Sequence, residues 1–166
     1  MVEFARAGLG GSIDGAGTMA SLLFMRTILI VDDQPSVLMA LEYLFRAHGY
    51  DVVPAADRAA ALTHAESRYF DVALVDLHMP GADGTVVCRD LGERAAAVGR
   101  KVPVWMMTAA HTSAAAAKCH EAGAQALLKK PFDVAELSAA IEALLGQPVA
   151  SPAPTPTATV AEPHAA

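Results

Sequence analysis

Five polar side chains in this sequence follow or end short runs of apolar residues. They are Asp32, Asp33, Asp76, Thr108 and Lys130. Carboxylate oxygens are the hard ligands that Mg²⁺ prefers, and an aspartate can also act as a nucleophile toward phosphorus. Ammonium and hydroxyl groups can bind the oxygens of a phosphoryl group. If folding brings these five residues together, the site would suit a divalent cation and a phosphoryl group.

The apolar runs next to these residues have the pattern of buried strands. Residues 72–75 are continuously apolar, and the pair Pro80-Gly81 marks a turn soon after them. From Arg26 onward, five such runs alternate with five helix-like segments. This alternation predicts an α/β fold in which a parallel sheet carries helices on both faces. Ligands bind outside the carboxyl ends of the strands in such sheets, so we expect the five polar residues to share one rim.

The spacing of apolar residues also predicts which faces of the first and last helices point inward. The first helix is expected to begin near Pro35, which suits the first helical turn, and to end at Gly49. Its inward face is predicted to comprise Val37, Leu41, Leu44 and Phe45. The inward face of the last helix is predicted to comprise Leu137, Ile141, Leu144 and Leu145.

Composition restricts the class of protein. A chain of 166 residues of which 54% are hydrophobic can bury a full core, which excludes a wholly disordered protein. The formal net charge of −6 argues against nucleic-acid binding, because phosphate backbones attract basic surfaces. The two cysteines, Cys88 and Cys119, lack the spacing of a metal or redox motif and are expected to be reduced, partly buried thiols in a cytosolic protein.

The two ends of the chain differ from its middle. Residues 1–25 are predicted to form a flexible, Gly-rich extension, whose apolar run at 22–25 is too short to span a membrane. A secretory signal is a weaker alternative for this segment. Residues 26–146 are predicted to form the single folded domain, and the Pro-, Ala- and Thr-rich residues 147–166 a disordered tail.

Four motifs, taken in order, closely resemble the receiver domain of two-component response regulators over roughly residues 26–146. They are Ile-Leu-Ile-Val-Asp32-Asp33, Leu-Val-Asp76-Leu-His-Met-Pro80-Gly, Met-Met-Thr108-Ala and Lys130-Pro131-Phe132. The resemblance implies a flavodoxin-like, doubly wound five-stranded parallel sheet with strand order 2-1-3-4-5. Each motif alone is a weak signal, whereas all four at strand ends are specific.

The resemblance also assigns roles to the acidic residues. Asp76 corresponds to the phosphoacceptor, which becomes a 4-aspartylphosphate. Asp32, Asp33 and Asp76, together with the backbone carbonyl of His78, correspond to the groups that hold Mg²⁺. The side chain of His78 is expected to alter the access of water to the acceptor.

The resemblance also assigns roles to Thr108 and Lys130, and the sequence departs from the family pattern at one position. Thr108 corresponds to the hydroxyl that moves toward the phosphoryl group. Lys130, rather than Lys129, corresponds to the family's lysine, and its bond to Pro131 is expected to be cis. Receiver domains usually carry an aromatic residue three positions before that lysine, but this chain has Leu127 there. The departure affects the expected output mechanism and leaves the expected phosphorylation chemistry unchanged.

The resemblance implies a chemotaxis-type, single-domain response regulator in the cytoplasm. It would accept a phosphoryl group from a sensor histidine kinase or a histidine phosphotransfer protein, and would then change its contacts with a downstream protein target. It would act as a switch in a phosphorelay and not as an enzyme, with neither nucleic acid nor membrane as a partner.

Two other functions remain open from the residues. One is a phosphatase that uses an aspartyl-phosphate intermediate, as haloacid-dehalogenase-like enzymes do. Such enzymes place a second aspartate two positions after the nucleophile, whereas Asp32 and Asp33 are adjacent and position 34 is glutamine. The other is a scaffold that keeps the receiver shape without being phosphorylated, an alternative supported by Leu127 and opposed by the complete set of polar residues.

Overall fold

Strands and helices alternate along the chain, as the sequence predicts. The computed structural model describes residues 25–145, so the predicted extension (apart from Met25) and the predicted tail lie outside the described residues. The strands of the main sheet are β1 (Thr27–Val31), β2 (Asp51–Ala55), β3 (Val72–Asp76), β4 (Val104–Thr108) and β5 (Ala126–Lys129). The helices are α1 (Pro35–Ala47), α2 (Arg58–Ser67), α3 (Gly84–Ala97), α4 (Ser113–Glu121) and α5 (Val134–Leu145).

The five strands are all parallel and lie in the order β2-β1-β3-β4-β5. This order confirms the predicted flavodoxin-like arrangement. The strand order reverses direction at β1 and β3, which are neighbours in the sheet. Residues that follow these two strands therefore meet at the point where such sheets bind ligands.

Two apolar layers cover the two faces of the sheet. Within β1, Ile28 and Ile30 pack in the layer under α1 and α5, whereas Leu29 and Val31 pack in the layer under α2, α3 and α4. Every residue of β3 and β4 is buried. Because both faces of these strands are covered, their sequences are continuous apolar runs and do not alternate with polar residues.

The predicted inward faces of the first and last helices are correct in part. The structure buries Leu38, Leu41 and Phe45 of α1, whereas Leu44 is 38% exposed. Residues 38, 41 and 45 follow the spacing of one helical face, and residue 44 lies beside that face. In α5, Leu137 and Ile141 are buried and Leu145 is partly buried against them, but Leu144 is exposed for the same reason. No helix within residues 25–145 has the length and hydropathy that crossing a membrane would require.

A short hairpin connects β3 to α3. His78–Met79 pairs antiparallel with Ala82–Asp83, and Gly81 turns the chain with a φ of 78°. Such a positive φ is readily adopted by glycine because it has no Cβ atom. The hairpin folds the chain back so that α3 begins directly beside the end of β3.

Asp83 closes the hairpin and joins it to two helices. Its Oδ1 accepts hydrogen bonds from the backbone N of Thr85, at 3.0 Å, and from the Thr85 hydroxyl, at 2.8 Å, which caps α3. Its Oδ2 pairs with the ammonium of Lys118 on α4. Partial burial alone would raise the pKa of Asp83, but the hydrogen bonds from Lys118 and Thr85 outweigh it and lower the pKa to about 2.

The substitution Asp83→Asn keeps a capping oxygen and removes the charge. We expect it to lower the free energy of unfolding by about 0.5–1 kcal/mol at pH 7, because the ion pair is largely solvated. The pKa of Asp83 is lower in the folded chain than in the unfolded one. Its stabilisation is therefore complete above about pH 4 and is lost as the pH falls toward 2.

Urea unfolding of both proteins at several pH values measures this difference. The matched control is Asp57→Asn, because Asp57 caps α2 through the backbone N of Ala60 and forms no ion pair with a lysine or arginine within residues 25–145. A difference between wild type and Asp83→Asn that stayed constant from pH 7 to pH 3 would contradict the assignment.

Candidate functional site

The carboxyl ends of the strands bring the predicted residues to one rim. Asp32 directly follows β1, Asp76 is the last residue of β3, and Thr108 is the last residue of β4. Asp76 lies opposite Met107 in the sheet, one residue before Thr108. Thr108 lies opposite Lys129, so Lys130 begins the loop directly beyond it.

The ammonium of Lys130 bridges two of the predicted carboxylates. Its Nζ lies 2.5 Å from Oδ2 of Asp32 and 2.7 Å from Oδ1 of Asp76. Asp32 is fully buried and Asp76 is 6% exposed. Two carboxylates so withdrawn from water repel each other, and the shared cation offsets this repulsion.

The other oxygen of each carboxylate is held by the backbone. Oδ1 of Asp32 accepts a hydrogen bond of 3.0 Å from the backbone N of Gln34, and Oδ2 of Asp76 accepts one of 3.1 Å from the backbone N of His78. These contacts fix the orientation of both side chains. The side chain of His78 itself is exposed to solvent.

The two acids also determine the charge state of Lys130. Burial alone would lower the pKa of its ammonium, but hydrogen bonds and charge attraction from Asp32 and Asp76 outweigh burial and raise the pKa. Because the folded-state pKa is raised, the contribution of this charge to stability is present at neutral pH. It is lost only as the pH rises past the ordinary lysine range.

The third predicted carboxylate stands outside this network. Asp33 is partly exposed, and its side chain forms no hydrogen bond with the groups described above. Within residues 25–145, no three acidic, histidine or cysteine side chains form a group that is ready to hold a metal ion. The ammonium of Lys130 thus joins two of the three predicted carboxylates, Asp32 and Asp76.

The donors at the rim still have the chemistry that Mg²⁺ requires. The ion takes oxygen ligands and usually only one or two carboxylates, with waters completing its shell. Asp32 and Asp76 supply two such carboxylates at one place. The roles of Asp33 and of the His78 carbonyl as ligands stay predictions.

Thr108 lies at the rim, but its hydroxyl is engaged locally. The side chain is buried, and Oγ1 donates to the carbonyl of Ala110 and accepts from the backbone N of Ala110, both at 3.2 Å. The backbone carbonyl of Thr108 accepts a hydrogen bond of 2.7 Å from the backbone N of Lys130. The loop that carries the hydroxyl is thus joined directly to the residue that carries the ammonium.

The two adjacent lysines differ in exposure and in their contacts. Lys129 is exposed, whereas Lys130 reaches both buried acids. The peptide bond between Lys130 and Pro131 is cis, as predicted. Leu127, where an aromatic residue was expected from the resemblance, is partly buried against the core layer under α2, α3 and α4.

Sequence reasoning missed Gly84, which contacts the backbone of Asp76. A Cβ atom at position 84 would lie 2.1 Å from the carbonyl oxygen of Asp76, and 2.8 Å from the side chain of Met106. The backbone N of Gly84 also donates a 3.1 Å hydrogen bond to the carbonyl of Leu77. A glycine directly after a capping aspartate was the available signal, but spacing alone did not show what it touches.

A family model for the response regulator receiver domain matches residues 28–142. The chain belongs to this family. Its five-stranded sheet has the strand order that the resemblance implies.

Longer curated proteins resemble the receiver domain of this chain. The sensory transduction protein RegX3 of Mycobacterium tuberculosis is 36% identical over 121 residues, covering 73% of this chain and 51% of its own length. The alkaline phosphatase synthesis transcriptional regulatory protein PhoP of Bacillus subtilis is 33% identical over 120 residues, covering 72% of this chain and 48% of its own length. The chain spans about half the length of the curated relatives it matches.

Solved structures share the fold of this receiver domain. A putative response regulator from Chloroflexus aurantiacus is 32% identical with a TM-score of 0.66, and the match covers 75% of this chain and all of that one. A CheY-like receiver domain protein from Methanospirillum hungatei is 26% identical with a TM-score of 0.67, and the match covers 74% of this chain and 95% of that one.

The contact at Gly84 predicts an unequal response to the same substitution at two glycines of α3. Gly84→Ala is expected to lower the free energy of unfolding by about 2–3 kcal/mol, because the new methyl group must displace the backbone of Asp76. Gly92→Ala is the control, since a Cβ atom at position 92 meets nothing within 4 Å. It is expected to raise the free energy of unfolding by about 0.5–1 kcal/mol.

Urea unfolding followed by circular dichroism measures both values. Equal effects at positions 84 and 92 would show that Gly84 does not lie against the end of β3.

Proposed function

We propose that this chain is a phosphorylation switch whose acceptor is Asp76. The observation that carries the proposal is the placement of the Asp76 carboxylate at the rim, within hydrogen-bond distance of an ammonium and beside a second buried carboxylate. The phosphoryl donor would be a sensor histidine kinase or a histidine phosphotransfer protein. Membership of the receiver family supports this donor.

The chemistry is a displacement at phosphorus. An oxygen of Asp76 forms a bond to phosphorus, and the bond between phosphorus and the donor's histidine nitrogen breaks. The electron pair of that bond stays on the nitrogen. One proton, carried on the other ring nitrogen or taken up from water, leaves the donor as neutral imidazole. The product is an acyl phosphate on the chain itself, so the chain takes one phosphoryl group per cycle. We therefore propose a switch rather than an enzyme that turns over a separate substrate.

The residues around Asp76 can position the group and offset its charge. Lys130 carries an ammonium, kept charged by its raised pKa, that already contacts Asp76 and can pair with a phosphoryl oxygen. Thr108 offers a hydroxyl at the end of the neighbouring strand. Asp32 and Asp76 would hold Mg²⁺, with Asp33 and the carbonyl of His78 as further candidate ligands. When bound, the ion would supply positive charge that lowers the repulsion between phosphoryl and carboxylate oxygens. Positioning and charge stabilisation are the main requirements of phosphoryl transfer.

The signal would leave through protein contacts. Phosphorylation would shift an existing equilibrium between two forms of the domain and so change its affinity for a downstream protein. The net charge of −6 favours a protein target over nucleic acid. The two free, buried cysteines, Cys88 and Cys119, favour the reducing cytoplasm as the compartment.

Transfer from a small phosphodonor tests the acceptor. Wild type incubated with acetyl phosphate and Mg²⁺ is expected to gain one phosphoryl group by intact mass measurement, and Asp76→Asn is expected to gain none. The matched control is Asp90→Asn, because Asp90 is an acid of α3 that pairs with Arg58 and not with Lys130.

Each other outcome selects another function. An adduct on Asp76→Asn would move the acceptor elsewhere. An unmodified wild type would favour the scaffold, and sustained release of phosphate from p-nitrophenyl phosphate would favour the phosphatase.

Binding of Mg²⁺ tests the donor set without any transfer. Calorimetric titration is expected to show saturable Mg²⁺ binding to wild type. Removing one carboxylate in Asp32→Asn is expected to weaken it by roughly tenfold, or ~1.4 kcal/mol. Asp90→Asn is expected to bind as wild type does, and equal affinity of all three proteins would contradict the proposed ligands.

A further inference from the structure

A cavity of about 370 Å³ opens between the C-terminal ends of α2 and α3. Its lining includes Phe70 and Val102, which lie just before β3 and β4. The cavity is therefore at the edge of the sheet opposite to Asp76, which ends β3. Nothing in the proposed phosphorylation chemistry uses this part of the molecule.

The floor of the cavity is apolar and its mouth carries exposed apolar surface. Phe70, Leu91 and Ala95 line it and are buried. Tyr69 and Val98 stand at its edge and are 63% and 62% exposed. A flat apolar group that entered the cavity would remove this surface from water, which is favourable in proportion to the area covered.

The charged residues that line the cavity are mainly basic, although the whole chain has a net charge of −6. Arg68, Arg94 and Arg100 line it together with one acid, Glu66. Glu66 is paired with Arg94 at 2.6 Å. The local excess of positive charge favours an anion over a cation as the occupant.

Arg100 is the arginine best placed to bind that anion. Its guanidinium lies over the ring of Tyr69, 3.5 Å from the ring centroid. Within residues 25–145 it forms no ion pair, whereas Arg68 lies 3.6 Å from the carboxylate of Asp51. Stacking orders the planar guanidinium while its N–H groups, which point outward from its edge, remain able to bind a planar anion through two hydrogen bonds.

We infer that this cavity binds a small aromatic anion, whose ring system packs against Phe70 and Val98 and whose carboxylate or sulfonate pairs with Arg100. The volume lies within the range of small-molecule sites, and such sites combine apolar side chains with polar groups that orient the ligand. The site is separate from the phosphoacceptor, so it extends the proposed function and does not depend on it.

The probe that tests the site is 8-anilinonaphthalene-1-sulfonate, which combines aromatic rings with one sulfonate and fluoresces when it leaves water. Titration of the folded wild type is expected to be saturable, with a dissociation constant below about 1 mM. Amide chemical shifts measured in the same titration are expected to change at residues 65–70 and 91–102 and to stay constant around Asp76. A titration that does not saturate, or shifts confined to another surface, would overturn the inference.

Two neighbouring cations provide a matched pair of variants. Arg100→Gln is expected to weaken binding by about tenfold, because a charged, two-bond contact is lost. Lys101 is the next residue in the chain, and its side chain does not line the cavity. Lys101→Gln removes the same charge as Arg100→Gln does, and it is expected to change the dissociation constant by less than about twofold. Equal losses in the two variants would show non-specific charge attraction and would overturn the site.

Two further measurements separate folding and phosphorylation from binding. Thermal unfolding of each variant shows whether weaker binding reflects a less stable fold, and both substituted side chains are exposed, so little change is expected. Asp76→Asn is expected to bind the probe as tightly as wild type does. This result would hold even if the chain failed to accept a phosphoryl group, so failure of the proposed function and failure of this inference are distinguishable.

Discussion

The ammonium of Lys130, shared between the carboxylates of Asp32 and Asp76, is the interaction on which the rim depends. Two carboxylates this close and this buried would repel each other strongly without a cation between them. Asp32 and Asp76 come from β1 and β3, which are neighbours, whereas Lys130 follows β5, two strands from β3. The long lysine side chain spans that interval, so one contact ties together segments that are 98 and 54 residues apart in sequence.

Much of this arrangement could be predicted because it follows from strand ends. A continuous apolar run such as Val72–Val75 must be buried on both faces, and in a parallel sheet every carboxyl end lies on one edge. The positions of Asp76, Thr108 and Lys130 follow from those two facts alone. Which side chains touch does not follow, because it depends on side-chain rotamers and on the local path of each loop.

The errors in the sequence reasoning have the same origin. Leu44 and Leu144 lie beside the buried stripe of their helices, and hydrophobicity alone does not distinguish the centre of a stripe from its edge. The close approach of Gly84 to Asp76 depends on a hairpin of two-residue strands, which is too short to leave a periodic signal.

The hydroxyl of Thr108 already has both a donor and an acceptor in Ala110. A phosphoryl oxygen that draws this hydroxyl away must replace two hydrogen bonds, each of which contributes about 0.5–1.5 kcal/mol in net terms. Without such an oxygen, the conformation in which the hydroxyl has left Ala110 would be rare. Its population would fall roughly tenfold for every 1.4 kcal/mol of free energy that the lost bonds cost. In a switch that uses this hydroxyl, these two bonds to Ala110 would set the free energy that an incoming hydrogen-bond acceptor has to exceed.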